Sequence, residues 1–392
     1  MNRRVGSDEP TMLMLSCCVP DAAGPPQRAR AWQLLRLASQ SHRVHLAAIA
    51  DGPVSLAQWR SVAACAHRVV IEPVPTRCRW TDRCIRRFDI PADHWLALSR
   101  ALIKPMSAWL NARSFDAVLC THPGLWPRAA AVGADLSMCD LYALPSRVHR
   151  CRSQASGGVR RRWHERQMHL WEQAEQHVAC TCRILIFAQD DDLHRFGAAG
   201  CNNRLVVPEA IDLAYFTQDV GEVDAPPRLV CHADLHGTGG RQSVEWFSRR
   251  IWPAIKQAVP DAQLDRSGGP HSRNPLAPLW AASVVAAPDA EPATARLPVL
   301  QAMALCRPVV APEPAVRNLG TRHSEHLLLI RRTDQWVQHC VELLRSASAR
   351  LQLAQGARDF VERHFSIEQT GRDLLGALRF GPPTETPMKR AA

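Results

Sequence analysis

Residues Ser283–Ala311 read SVVAAPDAEPATARLPVLQAMALCRPVVA. Two short apolar runs, Ser283–Ala287 and Pro308–Ala311, enclose a longer segment in which apolar residues recur at helical spacing. The short runs predict buried strands, and we predict a helix over Leu297–Leu305 with Pro298 in its first turn, where a missing N–H costs little. A strand, a helix and a second strand in this order form a βαβ unit with parallel strands. This stretch therefore predicts a parallel α/β sheet in the second half of the chain.

The first half of the chain alternates strands and helices in the same way. Its predicted strands are Met12–Cys17, Val44–Ile49, Val69–Val74, Asp116–Cys120 and Arg183–Ala188. Its predicted helices are Arg28–Ser39, Leu56–Ala64, Trp95–Arg113 and Arg160–His177. In such sheets ligands bind beyond the carboxyl ends of the strands, which indicates the loops after Cys18, Cys120 and Asp140.

The alternation restarts after an acidic stretch, Thr217–Pro227, which ends in Pro-Pro and is typical of a linker. The predicted elements that follow are the strand Leu229–His232, the helix Ser243–Val259, the strand Leu327–Ile330 and the helices Thr333–Ser346, Ala349–His364 and Ile367–Phe380. The chain of 392 residues has room for two domains. We predict a tail over 1–11, an α/β domain over 12–216, a linker over 217–227, a second α/β domain over 228–366, a closing helix over 367–380 and a tail over 381–392.

The composition is that of a globular protein, with 46% apolar and 22% charged residues. No run approaches the roughly 18 apolar residues that a membrane span needs. The first apolar run, Met12–Cys18, has the length of a strand and is too short for the core of a signal peptide. We therefore expect a cytoplasmic protein, with contact to the membrane surface left open.

The 14 cysteines are scattered, and many lie in apolar runs where a cysteine behaves as a small buried hydrophobe. One tight cluster joins His177, Cys180 and Cys182. A zinc site needs a second pair of ligands, and no matching pair is present. The sequence predicts no metal site and no cofactor.

The net charge of +11 is compatible with nucleic acid, anionic lipid or phosphorylated substrates. The arginines are spread along the chain except for Arg160–Arg162, and aromatic residues make up only 6%. A nucleic-acid protein more often has a concentrated basic stripe and stacking aromatics. Nucleic acid is therefore the least favoured partner. Arg160–Arg162 is interpreted as a solvated helix face, with a membrane-surface role as the alternative.

Several segments carry a family resemblance. Ser283–Pro288, Val299–Ala304 and Arg307–Ala311 resemble the "VVVAPL…VLEAMAxGxPVVA" element of the family-4-type retaining glycosyltransferases. Pro208–Phe216 is similar to their "PNGVDLEYF" element, and Val361–Glu368 to their "VxERYSWE". Phe115–Leu119 and the stretch from Trp246 to Ala262 resemble one subgroup, the sugar transferases associated with exosortase and exopolysaccharide (PEP-CTERM-associated) loci.

This resemblance implies a GT-B-like α/β fold, with two Rossmann-like, doubly wound lobes that face a cleft. It implies an acceptor-side first lobe and a donor-side second lobe. The implied activity is a hexosyl transfer with retention, from a nucleotide-sugar donor to a glycan or lipid-linked acceptor, in surface polysaccharide biosynthesis. No metal is required, because positive side chains can offset the charge of the departing diphosphate.

The segment departs from the family pattern at its polar positions. Gln301 stands where the family has a glutamate that contacts the nucleotide ribose, and Cys306 stands where it has glycine. Arg296 is the remaining cation for the diphosphate. Glu291 is either a displaced substrate carboxylate or a solvated loop charge.

The loop after Leu229–His232 contains Gly237, Gly239 and Gly240, followed by Arg241. Glycines before a helix can cradle a phosphate, and Arg241 adds a positive charge, although a lone glycine cluster is a weak signal. We include all four in the predicted substrate site.

The first lobe contributes Gly24, and Arg28 or Arg30, from the loop and helix that follow the first strand. These arginines either meet a phosphate or belong to a solvated helix start. His122 follows a strand and is predicted to be catalytic, through sugar binding or proton transfer, with capping of a turn as the commoner alternative.

The loss of several ligand-type residues favours a second hypothesis of a different class. In it, the chain is a catalytically impaired glycosyltransferase-like scaffold or regulatory protein. Nucleic-acid binding through the +11 charge is a third hypothesis, and it predicts binding that depends strongly on salt.

Overall fold

A computed structural model describes residues 9–50, 52–73, 109, 115–142, 144–196, 203–217, 226–235, 238–267, 276–290 and 292–380. Contacts between Cα atoms divide the chain into two compact units. Unit 1 contains Met1–Asp21, Arg30–Pro208 and Gly371–Ala392, and unit 2 contains Ala22–Ala29 and Glu209–Thr370. The predicted helix Trp95–Arg113 lies outside the described residues except for Trp109. Most of the predicted linker and of both tails also lie outside them.

Unit 1 is built on a seven-stranded parallel sheet in the order β3-β2-β1-β4-β5-β6-β7. The strands are β1 Thr11–Ser16, β2 Arg43–Ala50, β3 Arg68–Pro73, β4 Ala117–Cys120, β5 Leu136–Asp140, β6 Ile184–Phe187 and β7 Asn203–Val206. The order extends the 3-2-1-4-5-6 arrangement of a doubly wound α/β fold. β5 is absent from the predicted strands because Ser137 and Asp140 interrupt its apolar pattern.

The helices of unit 1 alternate with its strands along the chain. The α-helices that the structure describes around this sheet are Pro26–Ala38, Leu56–Cys65, Trp126–Ala130, Pro145–Gln154, Gly158–Thr181, Asp190–Phe196 and Arg372–Phe380. In the first of them Ala31, Leu34, Leu35 and Ala38 recur at the spacing of one helix face, and all four are fully buried.

Unit 2 is built on a five-stranded parallel sheet in the order β12-β11-β10-β8-β9. The strands are β8 Arg228–His232, β9 Gln263–Ser267, β10 Val284–Ala286, β11 Val309–Pro312 and β12 Leu328–Ile330. Its described α-helices are Thr238–Trp246, Trp252–Ala258, Ala277–Trp280, Pro292–Ala304, Asp334–Arg345, Ala347–His364 and Ile367–Thr370. A π-helical turn, Phe247–Ile251, makes the first two continuous, so the predicted helix Ser243–Val259 is confirmed.

The position of Pro298 differs from the prediction. The helix begins at Pro292 and not at Leu297, so Pro298 lies inside it. A proline here removes one i→i−4 hydrogen bond, and the carbonyl that loses it lies only four residues earlier, in the helix's first turn. The helix therefore continues through Pro298, whose ring forms part of the pocket described below.

The division into units also differs from the predicted bounds. Residues 209–216 belong to unit 2 because the Ile211 N–H donates to the Phe365 carbonyl at 2.7 Å and Phe216 is fully buried in the core of unit 2. The predicted closing helix is two helices that meet at Gly371, and the second is assigned to unit 1. No helix in the described part of the chain is long and apolar enough to cross a bilayer.

Candidate functional site

A small pocket, with a cavity volume of about 40 Å³, lies at the carboxyl edge of the unit 2 sheet. β8 and β10 are neighbours there. The chain continues from β8 to β9 on one side of this pair and from β10 to β11 on the other. Such a switch point is where open α/β sheets bind ligands. All lining residues belong to unit 2 as divided above, and they are Ala23, Gly24, Pro25, Pro26, His232, Ala233, Asp234, Leu235, Leu276, Leu297, Pro298 and Gln301.

A buried chain of three side chains reaches this pocket through His232 and Gln301, and its third member is Ser267. The His232 Nε2 and Gln301 Oε1 atoms are 3.2 Å apart, and His232 Nδ1 bonds to the Ser267 hydroxyl. All three side chains are buried, with His232 at 2% exposure and Gln301 at 3%. Burial lowers the pKa of His232 to about 4, and the bond to Gln301 opposes this effect.

The protonation of His232 fixes the direction of these bonds. A neutral imidazole carries one N–H, and Gln301 Oε1 can only accept, so the proton is assigned to Nε2 and the Ser267 hydroxyl donates to Nδ1. The Gln301 amide nitrogen has no hydrogen-bond partner within the described ranges. The pocket wall therefore presents an N–H donor, suited to an acceptor oxygen on a ligand.

The first turn of the helix Thr238–Trp246 needs a glycine at position 240. A Cβ at this position would lie 2.2 Å from the Asp234 carbonyl oxygen, whereas a Cβ at Gly239 would meet nothing within 4 Å. Gly240 thus lets the helix Thr238–Trp246 approach the backbone of a pocket loop. Gly237 lies outside the described residues, and the Arg241 side chain is exposed and is not part of the pocket lining. The predicted phosphate cradle stays a prediction.

Substituting alanine for Gly240 is expected to lower the free energy of unfolding by about 1–3 kcal/mol, because a fixed backbone carbonyl occupies the space of the new Cβ. Gly239→Ala is the matched control. Its free energy of unfolding is expected to rise by about 0.5 kcal/mol, because alanine reduces the backbone entropy of the unfolded chain. Denaturant titration of both variants measures the difference. Equal effects at the two glycines would contradict the close approach at Gly240.

Arg296 is buried at 8% exposure, and its Nη2 donates to the Arg317 carbonyl at 3.1 Å. It is absent from the pocket lining, so its predicted contact with the diphosphate stays a prediction. Glu291 lies outside the described residues. Cys306 has a φ of 56°, the left-handed conformation that favours glycine, which accounts for the glycine expected there.

The site residues predicted from the first lobe lie in different environments. Gly24 lines the pocket. Arg28 is half-buried at the start of its helix and is not in the lining. Arg30 is 3% exposed and forms an ion pair with Asp140 at 2.8 Å, so the structure contradicts its assignment to a phosphate.

His122 caps a turn. Its Nδ1 accepts a hydrogen bond from the Gly124 N–H at 3.0 Å, at the start of the 3₁₀ helix Pro123–Leu125, and its ring meets Trp171 edge-on. This is the alternative left open above. A catalytic role for His122 stays a prediction.

Gln301 is predictable from the sequence, but His232 and Ser267 are not. The available signal was their position, because each is the last residue of a strand in unit 2. It did not suffice, since many strands end in polar residues and the pairing across 69 and 35 residues exists only in the fold. In the described part of the chain no group of three or more His, Cys, Asp or Glu side chains is placed to hold a metal ion.

No protein-family model and no curated protein matches the chain. Several solved structures are similar to the chain. Sucrose-phosphate synthase from Thermosynechococcus elongatus has a TM-score of 0.61 at 13% identity, over 94% of this chain and 98% of its own. HepE of Anabaena, solved with UDP-glucose, has a TM-score of 0.59 at 11% identity, over 94% and 99%. A glycosyltransferase from Rickettsia africae has a TM-score of 0.52 at 10% identity, over 94% and 98%.

These similarities extend over nearly the whole chain and include both sheets. The chain therefore has the α/β fold of the GT-B glycosyltransferases, with two Rossmann-like units.

Proposed function

We propose that this protein transfers a sugar from a nucleotide-sugar donor to a glycan or lipid-linked acceptor. The observation that carries the proposal is the pocket at the switch point of unit 2, where the Gln301 amide is held by neutral, buried His232. HepE, which shares the fold, was solved with UDP-glucose, and this supports a nucleotide-sugar donor.

The pocket residues suggest how the donor is held. The Gln301 N–H donates to a ribose oxygen, and the Ala23–Pro26 and Ala233–Leu235 segments bring backbone groups to the same space. Arg241 and Arg296 are the proposed diphosphate contacts, and a retaining hexosyl transfer without a metal is the proposed reaction. Arg296 would have to turn from the Arg317 carbonyl to reach a ligand.

The cellular setting rests on the sequence resemblance alone. We place the protein among the family-4-type transferases, in exopolysaccharide biosynthesis linked to PEP-CTERM loci. We propose that it acts in the cytoplasm, at the inner surface of the membrane, where a lipid-linked acceptor would be found.

Calorimetry with UDP, GDP and ADP, each with and without the attached glucose, tests the proposal. We expect one nucleotide series to bind, and Gln301→Ala to weaken its binding by about 10-fold, the value of one good hydrogen bond. His232→Phe is expected to cause a similar loss because Gln301 is no longer oriented. The control is Gln355→Ala, an exposed glutamine of unit 2 away from the pocket lining. Absence of binding in every series would overturn the proposal.

A non-catalytic scaffold is the alternative, and one observation favours it. Gln301 Oε1 is already bonded to His232, so the acceptor that a glutamate would offer to ribose hydroxyls is missing. Gln301→Glu separates the two hypotheses. An increase in donor hydrolysis over a measurable wild-type rate supports the transferase, whereas a wild type without binding and turnover supports the scaffold.

A further inference from the structure

Two helices of unit 1, Pro145–Gln154 and Gly158–Thr181, form an antiparallel hairpin. Their packed faces meet through the bond of Ser146 to Glu175 and through the His149–His164 contact, where the two Nδ1 atoms are 3.0 Å apart. Beyond this packed part, every residue from Gly157 to Trp163 is exposed. We call residues 151–163 the hairpin tip.

The hairpin tip is strongly basic. It contains Arg152, Arg160, Arg161 and Arg162 and no acidic residue, which gives it a formal charge of +4. Arg161 pairs with Glu165 at 2.8 Å, whereas the other three form no ion pair with any residue that the structure describes. The Arg160–Arg162 group lies in the first turns of a helix, where positive charge is unfavourable because the helix end is itself positive. Helix stability therefore does not explain these arginines.

Two exposed apolar side chains flank Arg160–Arg162 in the sequence. Val159 is 85% exposed and Trp163 is 44% exposed. Exposed apolar groups in a field of arginines are typical of a surface that lies at a membrane interface, where the apolar groups enter the headgroup region and the guanidinium groups meet lipid phosphates. Nucleic acid would match the charge and leave Val159 in water.

We propose that the hairpin tip docks on an anionic lipid bilayer. The charge complementarity of the four arginines selects anionic lipid, and Val159 with Trp163 supplies the apolar insertion. The inference rests on the proposed function for its purpose, which is to hold the enzyme at the surface that carries a lipid-linked acceptor. Bilayer binding itself needs no donor nucleotide.

Cosedimentation of the full chain with vesicles tests the docking surface. We expect binding to mixed phosphatidylcholine–phosphatidylglycerol vesicles, weak binding to pure phosphatidylcholine, and release by salt. The double variant Arg160→Gln/Arg162→Gln should bind about 30-fold more weakly, from the loss of two charges near the surface. The control is Arg60→Gln/Arg68→Gln, two exposed arginines elsewhere in unit 1 that remove the same net charge. It should bind like the wild type.

The apolar part has its own variant. Val159→Asp should weaken vesicle binding while it leaves thermal stability unchanged, because the side chain makes little contact within the protein. Equal losses in the two double variants would mean that net charge alone drives binding and would overturn the docking surface. Salt-dependent retention on single-stranded RNA that the tip variant abolishes, with no vesicle binding, would also overturn it. Nucleotide calorimetry on the same variants shows separately whether the donor proposal fails.

Discussion

Arg30→Met is expected to lower the free energy of unfolding by about 3–5 kcal/mol at neutral pH, because it leaves Asp140 charged and buried without a partner. Arg30 Nη2 lies 2.8 Å from Asp140 Oδ1, and Nε lies 3.1 Å from Oδ2. The two side chains are 2% and 0% exposed. Asp140 ends β5, so the ion pair fastens the helix Pro26–Ala38 to the carboxyl edge of the sheet.

The same guanidinium also binds the chain where the Arg30–Pro208 segment of unit 1 ends. Its Nη1 donates to the Val207 carbonyl at 2.6 Å and to Gln33 Oε1 at 3.0 Å, and Gln33 in turn donates to the Pro208 carbonyl. Methionine replaces the arginine side chain only as far as Nε, and it offers no hydrogen-bond donor. Buried carbonyls and a buried carboxylate are therefore left unpaired together, which places this change at the severe end of single substitutions.

The pH dependence identifies the cause of this loss. Burial raises the pKa of Asp140, and Arg30 opposes the rise, so removing Arg30 raises the pKa further. A carboxyl whose folded pKa exceeds its unfolded pKa favours the folded state at low pH, and the advantage is lost as the pH rises. The penalty of Arg30→Met should therefore be smaller at pH 5 than at pH 7, as measured by denaturant unfolding.

The double variant Arg30→Met/Asp140→Leu is the control. It removes both charges, and we expect it to recover most of the lost stability. A double variant as unstable as Arg30→Met, with no change in penalty between pH 5 and pH 7, would assign the loss to the unpaired carbonyls and not to Asp140.

The fold was predictable because strand and helix periodicity is local. Met12–Cys17 and Leu229–His232 are largely apolar runs of strand length, and their alternation with helical patterns along the chain implies parallel sheets. β5 was not predictable in this way, because Asp140 interrupts its pattern, and the charge is tolerated only by the ion pair to a residue 110 positions away.

The sequence predicts some of the residues that line the site, but it does not predict which side chains form hydrogen bonds there. Gln301 and Gly24 were placed in the predicted site, and both line the pocket. His232 bonds to Ser267 and Gln301, which are distant in sequence, and no local sequence pattern predicts these bonds. Arg30 shows the reverse case, since a basic residue near a predicted phosphate site is equally consistent with a buried structural ion pair until the fold supplies Asp140.

The free energy of unfolding should contain a contribution from Glu175 that changes by about 2.5 kcal/mol between pH 5 and pH 8, and Glu175→Gln is expected to remove it. Glu175 is 3% exposed, and burial raises its pKa to about 7, although bonds from the Ser146 hydroxyl and N–H oppose the rise. Its folded pKa lies above its unfolded value, so its stabilising contribution is full below about pH 4.5 and is lost as the pH rises through about 7. Glutamine keeps the shape without the ionisation.

Only the difference between variant and wild type isolates this effect. Burial lowers the pKa of His232 to about 4, and a lowered histidine pKa costs stability as the pH falls below its unfolded value, which offsets Glu175 in the same range. We therefore expect Glu175→Gln to gain stability relative to the wild type as the pH rises from 5 to 8. The control is Glu165→Gln, a partly exposed carboxylate of the same helix that pairs with Arg161 and does not act on the pKa of Glu175. Its change should stay within about 0.5 kcal/mol at both pH values. A flat difference for Glu175→Gln would mean that the Ser146 bonds keep Glu175 ionised, and the hairpin would then carry a buried charge throughout this pH range.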